Sequence, residues 1–155
     1  MKFAIVSDTH DNVANVNKVI DFLGKEKITT LLHCGDICSQ ETIDQATTLF
    51  KGTIHWVRGN GDFDLPHIPE KLELAPDGTK VFFNHYPDIA KTAAESGKYD
   101  LVFYGHTHRP WVEQVGNCIL ANPGELAGQR FKPTFALYDT KTHRLALKIL
   151  EKLYY

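Results

Sequence analysis

The chain has 155 residues and eight histidines, and the placement of those histidines tells more than their number. Five short polar clusters each follow an apolar run: Asp8-Thr9-His10, Gly35-Asp36, Gly59-Asn60-Gly61-Asp62, Asn84-His85 and Gly105-His106-Thr107-His108. In α/β sheets the carboxyl ends of strands face the ligand crevice. Five such ends converging would assemble two or three carboxylates, one amide oxygen and four imidazoles. Imidazole mixed with carboxylate suits Zn, Fe, Mn or Ni better than Ca or Mg. Asp8 and His10 are two residues apart, as are His106 and His108. In extended chain such positions share a face, so each pair is expected to aim both side chains at one site. Glycines 35, 59 and 105 would let the backbone turn beside a metal, where a Cβ would crowd it.

The candidate donors are too many for one ion, because catalytic zinc takes three protein ligands and a water. With one carboxylate bridging, they suit two ions about 3.5–4 Å apart, the arrangement that clamps both oxygens of an in-line phosphoryl displacement. Two divalent ions bring more charge than Asp8, Asp36 and a bridging hydroxide remove. Such a site stays cationic and attracts a phosphate.

The elements that must carry these clusters are readable from hydrophobic spacing. Lys2 to Ser7 reads as a buried strand. Val13, Val16, Val19, Ile20 and Leu23 recur at helical spacing, with Gly24 as a stop signal. Thr29 to Cys34 is a second strand, residues 40 to 50 a helix capped by Ser39, and Thr53 to Arg58 a third strand. This alternation predicts βαβ units and a parallel sheet. Further on, Leu72–Leu74 and Val81–Phe83 flank the turn Pro76-Asp77-Gly78-Thr79. A short helix is expected over Ile89–Ser96 and a buried strand over Leu101–Tyr104. Trp111–Val115 with Cys118–Ala121, and Thr134–Tyr138 with Arg144–Leu150, read as two more hairpins. The expected fold class is α/β, with two mixed sheets face to face and helices on both flanks, in one domain over residues 1–155.

Composition narrows the function classes. Lys and Arg total 17 and Asp and Glu 19, a net charge of -2, with no basic run. An extended nucleic-acid groove is therefore not expected, and aromatic–basic interleaving is missing too. No apolar run approaches the roughly 18 residues of a membrane span. Three cysteines without a C-x-x-C pair, and no secretory signal at the start, point to a reducing, cytoplasmic setting.

The motif series D-x-H, G-D, G-N-x-D, a lone His and G-H-T-H, in this order from Asp8 to His108, resembles the calcineurin-like metallophosphoesterase family. Asn122-Pro123-Gly124 adds a likeness to its small single-domain phosphodiesterase branch. The resemblance implies a four-layer α/β/β/α sandwich and a metal-dependent phosphoesterase, a diesterase before a monoesterase. It places Asp8, His10 and His108 on a first metal, Asp36 as a bridge, and Asn60, His85 and His106 on a second. It implies catalytic roles for Asp36, Asn60 and His106, a bridging hydroxide attacking phosphorus in line, and Asn60 positioning a phosphate oxygen. Two divalent transition-metal ions are implied, manganese first, with Ni, Fe and Zn also suiting the ligands. The partner is a small phosphate ester, without membrane, and small family members often form homo-oligomers.

Three departures from the family pattern stand out. The lone His is often preceded by glycine and here by Asn84, a residue that tolerates left-handed backbone better than most. Many members carry histidine in the third position of G-N-H, where it protonates the leaving group; here that position is Gly61. Loss of such an acid typically costs about 10²–10⁴-fold, so esters with acidic leaving groups are expected to be favoured. Glu125 stands where serine is common, and is expected as an acidic group near the pocket that disfavours highly charged substrates. The missing acid also keeps open an alternative, a catalytically weak or inactive protein-interaction scaffold of the same fold, as serves in membrane-trafficking complexes.

The remaining polar residues carry plainer expectations. His33 reads as a packed histidine with its N–H satisfied, His55 and His67 as strand-face or loop residues, and His143 as a surface turn. Cys34 and Cys38 are surplus to a complete oxygen/nitrogen set. Asp62 is expected to orient a ligand, and Asp11 and Asn12 to cap the first helix. Arg109 suits either a phosphate oxygen or solvent. Trp56, Trp111, Tyr154 and Tyr155 are expected to pack within the chain.

Overall fold

A computed structural model describes residues 1–153; the expectation for Tyr154 and Tyr155 lies outside them. The strands are β1 (Lys2–Val6), β2 (Thr30–His33), β3 (Thr53–Trp56), β4 (Lys71–Leu74), β5 (Val81–Asn84), β6 (Leu101–Phe103), β7 (Trp111–Val115), β8 (Cys118–Asn122), β9 (Thr134–Asp139) and β10 (Arg144–Ile149). Among the described residues three α-helices accompany them: α1 (Val13–Lys25), α2 (Gln40–Leu49) and α3 (Pro87–Glu95). One five-stranded sheet has the order β10-β9-β1-β2-β3 and the other β4-β5-β6-β8-β7. Both are mixed: β1, β2 and β3 run parallel, as do β5, β6 and β8, while β4, β7, β9 and β10 pair antiparallel.

Alternation along the strands builds the layers. Phe3, Ile5, Leu32 and Val57 from one sheet meet Val81, Phe83, Leu101 and Phe103 from the other in a shared core. Phe3 and Phe103 pack edge to face with centroids 6.5 Å apart, a favoured aromatic geometry. The opposite face of the first sheet, with Ala4, Val6 and Leu31, receives Val16, Val19, Ile20 and Leu23 of α1. That apolar stripe at i, i+3, i+4, i+7 spacing is what makes the segment helical. On the far side, Phe82, Val102 and Leu120 pack on Ala90 and Ala94 of α3, whose small side chains allow close approach. The helix–sheet–sheet–helix order matches the expected fold class.

The helix caps follow Asn12 and Ser39 as expected, whereas Asp11 does not cap α1 and turns its carboxylate to Ser39 and Thr42 at the start of α2. Asn12 caps α1 by accepting from the Asn15 amide at 3.2 Å, and Ser39 caps α2 through the Thr42 amide at 3.3 Å. Gly24 does not stop α1, which runs one residue further. A glycine in the last turn is tolerated, and the chain turns instead at Lys27, with φ +57°. The Ile28 amide then reaches back to the Leu23 carbonyl at 2.9 Å. The second half is also less uniformly antiparallel than its turn sequences suggest. β5, α3 and β6 form a parallel crossover, and the β9–β10 hairpin joins the first sheet against β1.

Among the described residues no helix is long and apolar enough to cross a membrane.

Candidate metal centre

The loops after β1, β2, β3, β5 and β6 meet at one end of the sandwich, where the parallel strands expose their carboxyl ends. Hydrogen bonds between the loops extend the sheet pairing beyond the strands. The Asp8 amide donates to the Gly35 carbonyl at 2.9 Å, the His10 amide to Asp36 at 3.0 Å and the Asp11 amide to Ile37 at 3.1 Å. The Gly105 amide donates to the His85 carbonyl at 3.0 Å. Asp11 ties the first loop to α2, accepting from the hydroxyls of Ser39 at 2.6 Å and Thr42 at 2.7 Å.

The seven predicted ligands fall into two groups that share Asp36. In the first, one donor atom from each of Asp8, His10, Asp36 and His108 lies within 4.8 Å of the others. His108 Nε2 is 3.3 Å from Asp8 Oδ1, and His10 Nε2 is 3.6 Å from Asp8 Oδ1 and 3.5 Å from Asp36 Oδ2. In the second group Asn60 Oδ1 stands 3.0 Å from both His85 Nε2 and His106 Nδ1. Asp36 Oδ1 lies 3.4 Å from His85 Nε2, so the two oxygens of this carboxylate face different groups. Asp8, Asp36 and His108 are buried and His10 is half-buried, whereas Asn60 and His106 are exposed and open the second group to solvent.

The pairs do not reach the site on extended backbone, as the period-2 reading had it. Asp8, His10, Asp36, His106 and His108 have φ of +51°, +43°, +59°, +69° and +64°. Asp and His tolerate this left-handed region better than most residues, but each position still costs of order 1 kcal/mol. The interloop hydrogen bonds hold these conformations. Gly59 is required for a different reason: a Cβ there would stand 2.6 Å from the Asp36 amide nitrogen and closer still to its carboxylate.

The donor chemistry fits cations. Asp8 is fully buried. Its Oδ2 accepts from the Ser7 hydroxyl at 2.6 Å and the His106 amide at 3.1 Å, but Oδ1 accepts no hydrogen bond. His108 donates Nδ1–H to Glu125 Oε2 at 2.6 Å, so its Nε2 presents a lone pair to that unpaired oxygen. His85 donates Nδ1–H to the Cys34 carbonyl at 2.8 Å, leaving its Nε2 lone pair opposite the Asn60 amide oxygen. Lone pairs that converge in this way call for a positive ion between them. The electrostatics agree. The Asp8 carboxylate and then the Cys38 thiol push His10 up to about 10, burial opposing them. Burial would raise Asp8, but His10, His85, Ser7 and His108 together hold it below its ordinary value.

Several residues act behind this set. Asp62 accepts three backbone amides: Asp36 and Gly59 at 2.8 Å on Oδ2, and Cys38 at 2.7 Å on Oδ1. Glu125 is not a pocket acid facing substrate. It is fully buried, and its other oxygen accepts the Arg130 and Phe131 amides. Burial would raise it, but those amides and His108 hold it below the usual carboxylate range. Its link to His108 is the carboxylate–histidine pairing that fixes the tautomer of a metal ligand. Position in the chain gave only its acidity; nothing in the sequence spacing joins Glu125 to His108. Glu125→Gln would turn an amide NH₂ toward His108 Nδ1 and should weaken metal binding about 10–100-fold, measured by calorimetric titration.

His33 accepts from the Gly35 amide on Nδ1 and donates Nε2–H to Thr9 Oγ1, both at 3.1 Å. Burial pushes it from 6.5 down to about 4. The unfolded chain takes up this proton near 6.5 and the folded chain only near 4, so the contribution to stability is full above pH 6.5 and is lost as pH falls toward 4. In the metal-free protein the loss is of order 3 kcal/mol. It should appear as a steeper fall of the thermal midpoint over this pH window than His33→Gln shows.

The other histidines lie away from these groups: His55 on β3, His67 in an exposed loop and His143 in an exposed turn. Arg109 is exposed and stacks over Trp111, 5.2 Å from the ring centroid. Trp56 packs against the core, while Trp111 is 47% exposed.

Oxygen and nitrogen lone pairs gathered at the strand ends of a two-sheet sandwich define a candidate metalloprotein. Residues 1–143 match the calcineurin-like phosphoesterase superfamily domain. Phosphodiesterase MJ0936 of Methanocaldococcus jannaschii is 32% identical, over 97% of this chain and 100% of that protein. The solved structure of an archaeal phosphodiesterase superimposes with a TM-score of 0.87 at 31% identity, covering 96% of this chain and 99% of the other. Vps29 of Chaetomium thermophilum shares the fold, with a TM-score of 0.78 at 17% identity over 96% and 94% of the two chains. The chain belongs to the calcineurin-like phosphoesterase superfamily.

Proposed function

We infer that this chain, acting as one domain over residues 1–155, is a two-metal hydrolase of small phosphate esters, with diesters favoured over monoesters. The observation that carries this reading is the Asp36 carboxylate, whose two oxygens face two separate donor groups. Asp8, His10, Asp36 and His108 would hold one ion, and Asp36, Asn60, His85 and His106 the other. Two divalent ions, manganese first, would supply activated water for in-line attack and neutralise the charge gained by phosphorus. The chain's own residues do the rest. Exposed Asn60 and His106 face the open side, where a phosphate oxygen can be positioned. Buried Glu125 and the Cys34 carbonyl keep His108 and His85 in the tautomers that present Nε2. The kinship with a phosphodiesterase supports diesters as substrates.

Gly61 offers no side chain for proton donation, and its amide donates to Asp36 Oδ1 at 2.8 Å. A Cβ at this position would lie 3.2 Å from that oxygen and 3.3 Å from Cys38 Sγ. A side chain here would need these neighbours to give by a few tenths of an ångström; with none present, substrates with acidic leaving groups suit the site.

The test is an assay of chelator-treated protein on an aromatic phosphodiester and the matching monoester, with and without added Mn²⁺. Metal-restored hydrolysis, faster on the diester, is the expected result. Metal uptake with no hydrolysis of either ester would contradict the reading and move weight to the scaffold.

A further inference from the structure

The outer nitrogens of His108, His85 and His10 meet three different acceptors. His108 Nδ1 donates to the Glu125 carboxylate at 2.6 Å and His85 Nδ1 to the Cys34 carbonyl at 2.8 Å. His10 Nδ1 faces a thiol sulfur, Cys38 Sγ, at 3.5 Å. Among the described residues no other group is hydrogen-bonded to this nitrogen. Cys38 lies behind the His10 ring, because His10 turns its other nitrogen, Nε2, toward Asp8, Asp36 and His108.

The placement of the thiol is enforced by the backbone. Cys38 has φ +87°, a conformation that side-chain-bearing residues rarely adopt. It is pinned there by its amide, which donates to Asp62 Oδ1 at 2.7 Å. The same carboxylate holds the amides of Asp36 and Gly59. One buried anion thus fixes the Asp36 ligand and the partner of the His10 ligand together.

We propose that Cys38 is a positioning residue for the first metal: its sulfur accepts Nδ1–H of His10 and so fixes the ring with Nε2 turned to the ion. The proposal rests on the two-metal reading of the site. Sulfur is a weak acceptor, so this link holds the His10 ring less firmly than Glu125 holds His108. Cys38 does not ligate the first ion; it acts through His10, and its removal leaves the Asn60, His85 and His106 group untouched.

The test is metal titration of the full-length wild type, Cys38→Ala and Cys38→Ser with Mn²⁺, following each binding step by calorimetry and elemental analysis. Cys38→Ala should weaken one of the two steps about 10–100-fold, the range for loss of such a partner, and leave the other unchanged. Cys38→Ser keeps an acceptor and should recover part of the loss. Equal loss at both steps would mark a general structural defect and overturn the proposal, as would unchanged binding by Cys38→Ala. If the wild type itself takes up fewer than two ions, the two-metal reading fails, and the proposal with it.

Discussion

Asp36→Asn should remove hydrolysis and uncouple both ions from the site. The carboxylate faces His10 at 3.5 Å through one oxygen and His85 at 3.4 Å through the other. An amide of the same shape keeps one oxygen, which can still accept the Gly61 amide that Asp36 accepts at 2.8 Å. The fold is therefore preserved while the shared negative charge is lost. Loss of one charge-stabilising donor costs about 10²–10³-fold in turnover. On the two-metal reading Asp36 would serve both ions, so a fall of more than about 10³-fold is expected by comparison with that single-donor range. The check is turnover on an aromatic diester together with metal content, on protein whose circular dichroism matches the wild type. Retained turnover would remove Asp36 from the bridging position.

Asp62→Ala is expected to have the largest effect on stability, and an effect on activity that follows from it. The side chain is fully buried. Without it, the amides of Asp36, Cys38 and Gly59 lose their acceptor, and the loop after β2 separates from the loop after β3. An unsatisfied buried donor costs about 1–3 kcal/mol. Three of them, partly relieved by entering water, give about 3–5 kcal/mol. For a chain of this size that lowers the thermal midpoint by about 10 °C or more. The measurement is calorimetric melting of the metal-free proteins. A midpoint within about 2 °C of wild type, less than 1 kcal/mol by the same scaling, would show that the two loops hold together by other means.

Much of the architecture is legible in the sequence because two physical signals coincide there. Apolar runs such as Phe3–Val6 and Leu101–Phe103 are buried on both faces, and each runs straight into a polar cluster. That juxtaposition marks a strand whose carboxyl end faces a site. The period of α1 and the Ser39 cap of α2 are equally local signals. Sheet membership is not local. The turn between β9 and β10 specifies a hairpin, but only pairing with β1, more than a hundred residues earlier, assigns it to the first sheet.

The site shows the same division. The residue types at Asp8, His10, Asp36, Asn60, His85, His106 and His108 speak for metal chemistry, and the structure brings them into two adjoining groups. How they arrive was hidden. Counting two residues from Asp8 to His10 assumes extended chain, whereas five of the predicted ligand positions take left-handed backbone, and hydrogen bonds tie their loops together. Of the residues behind the ligands, Asp62 was legible, but Glu125 and Cys38 were hidden. Glu125 and His108 are joined by folding, not by spacing, and Cys38 meets His10 only because Asp62 pins its amide.

The most direct test of the account is the number of metal ions bound per chain. Purified full-length protein is stripped with chelator, saturated with Mn²⁺, desalted and measured by elemental analysis beside Asp36→Asn. Two ions per wild-type chain, with both lost or weakened in the variant, is the result expected from a carboxylate shared between two donor groups. One ion per wild-type chain, or two retained by Asp36→Asn with unchanged affinity, would contradict it.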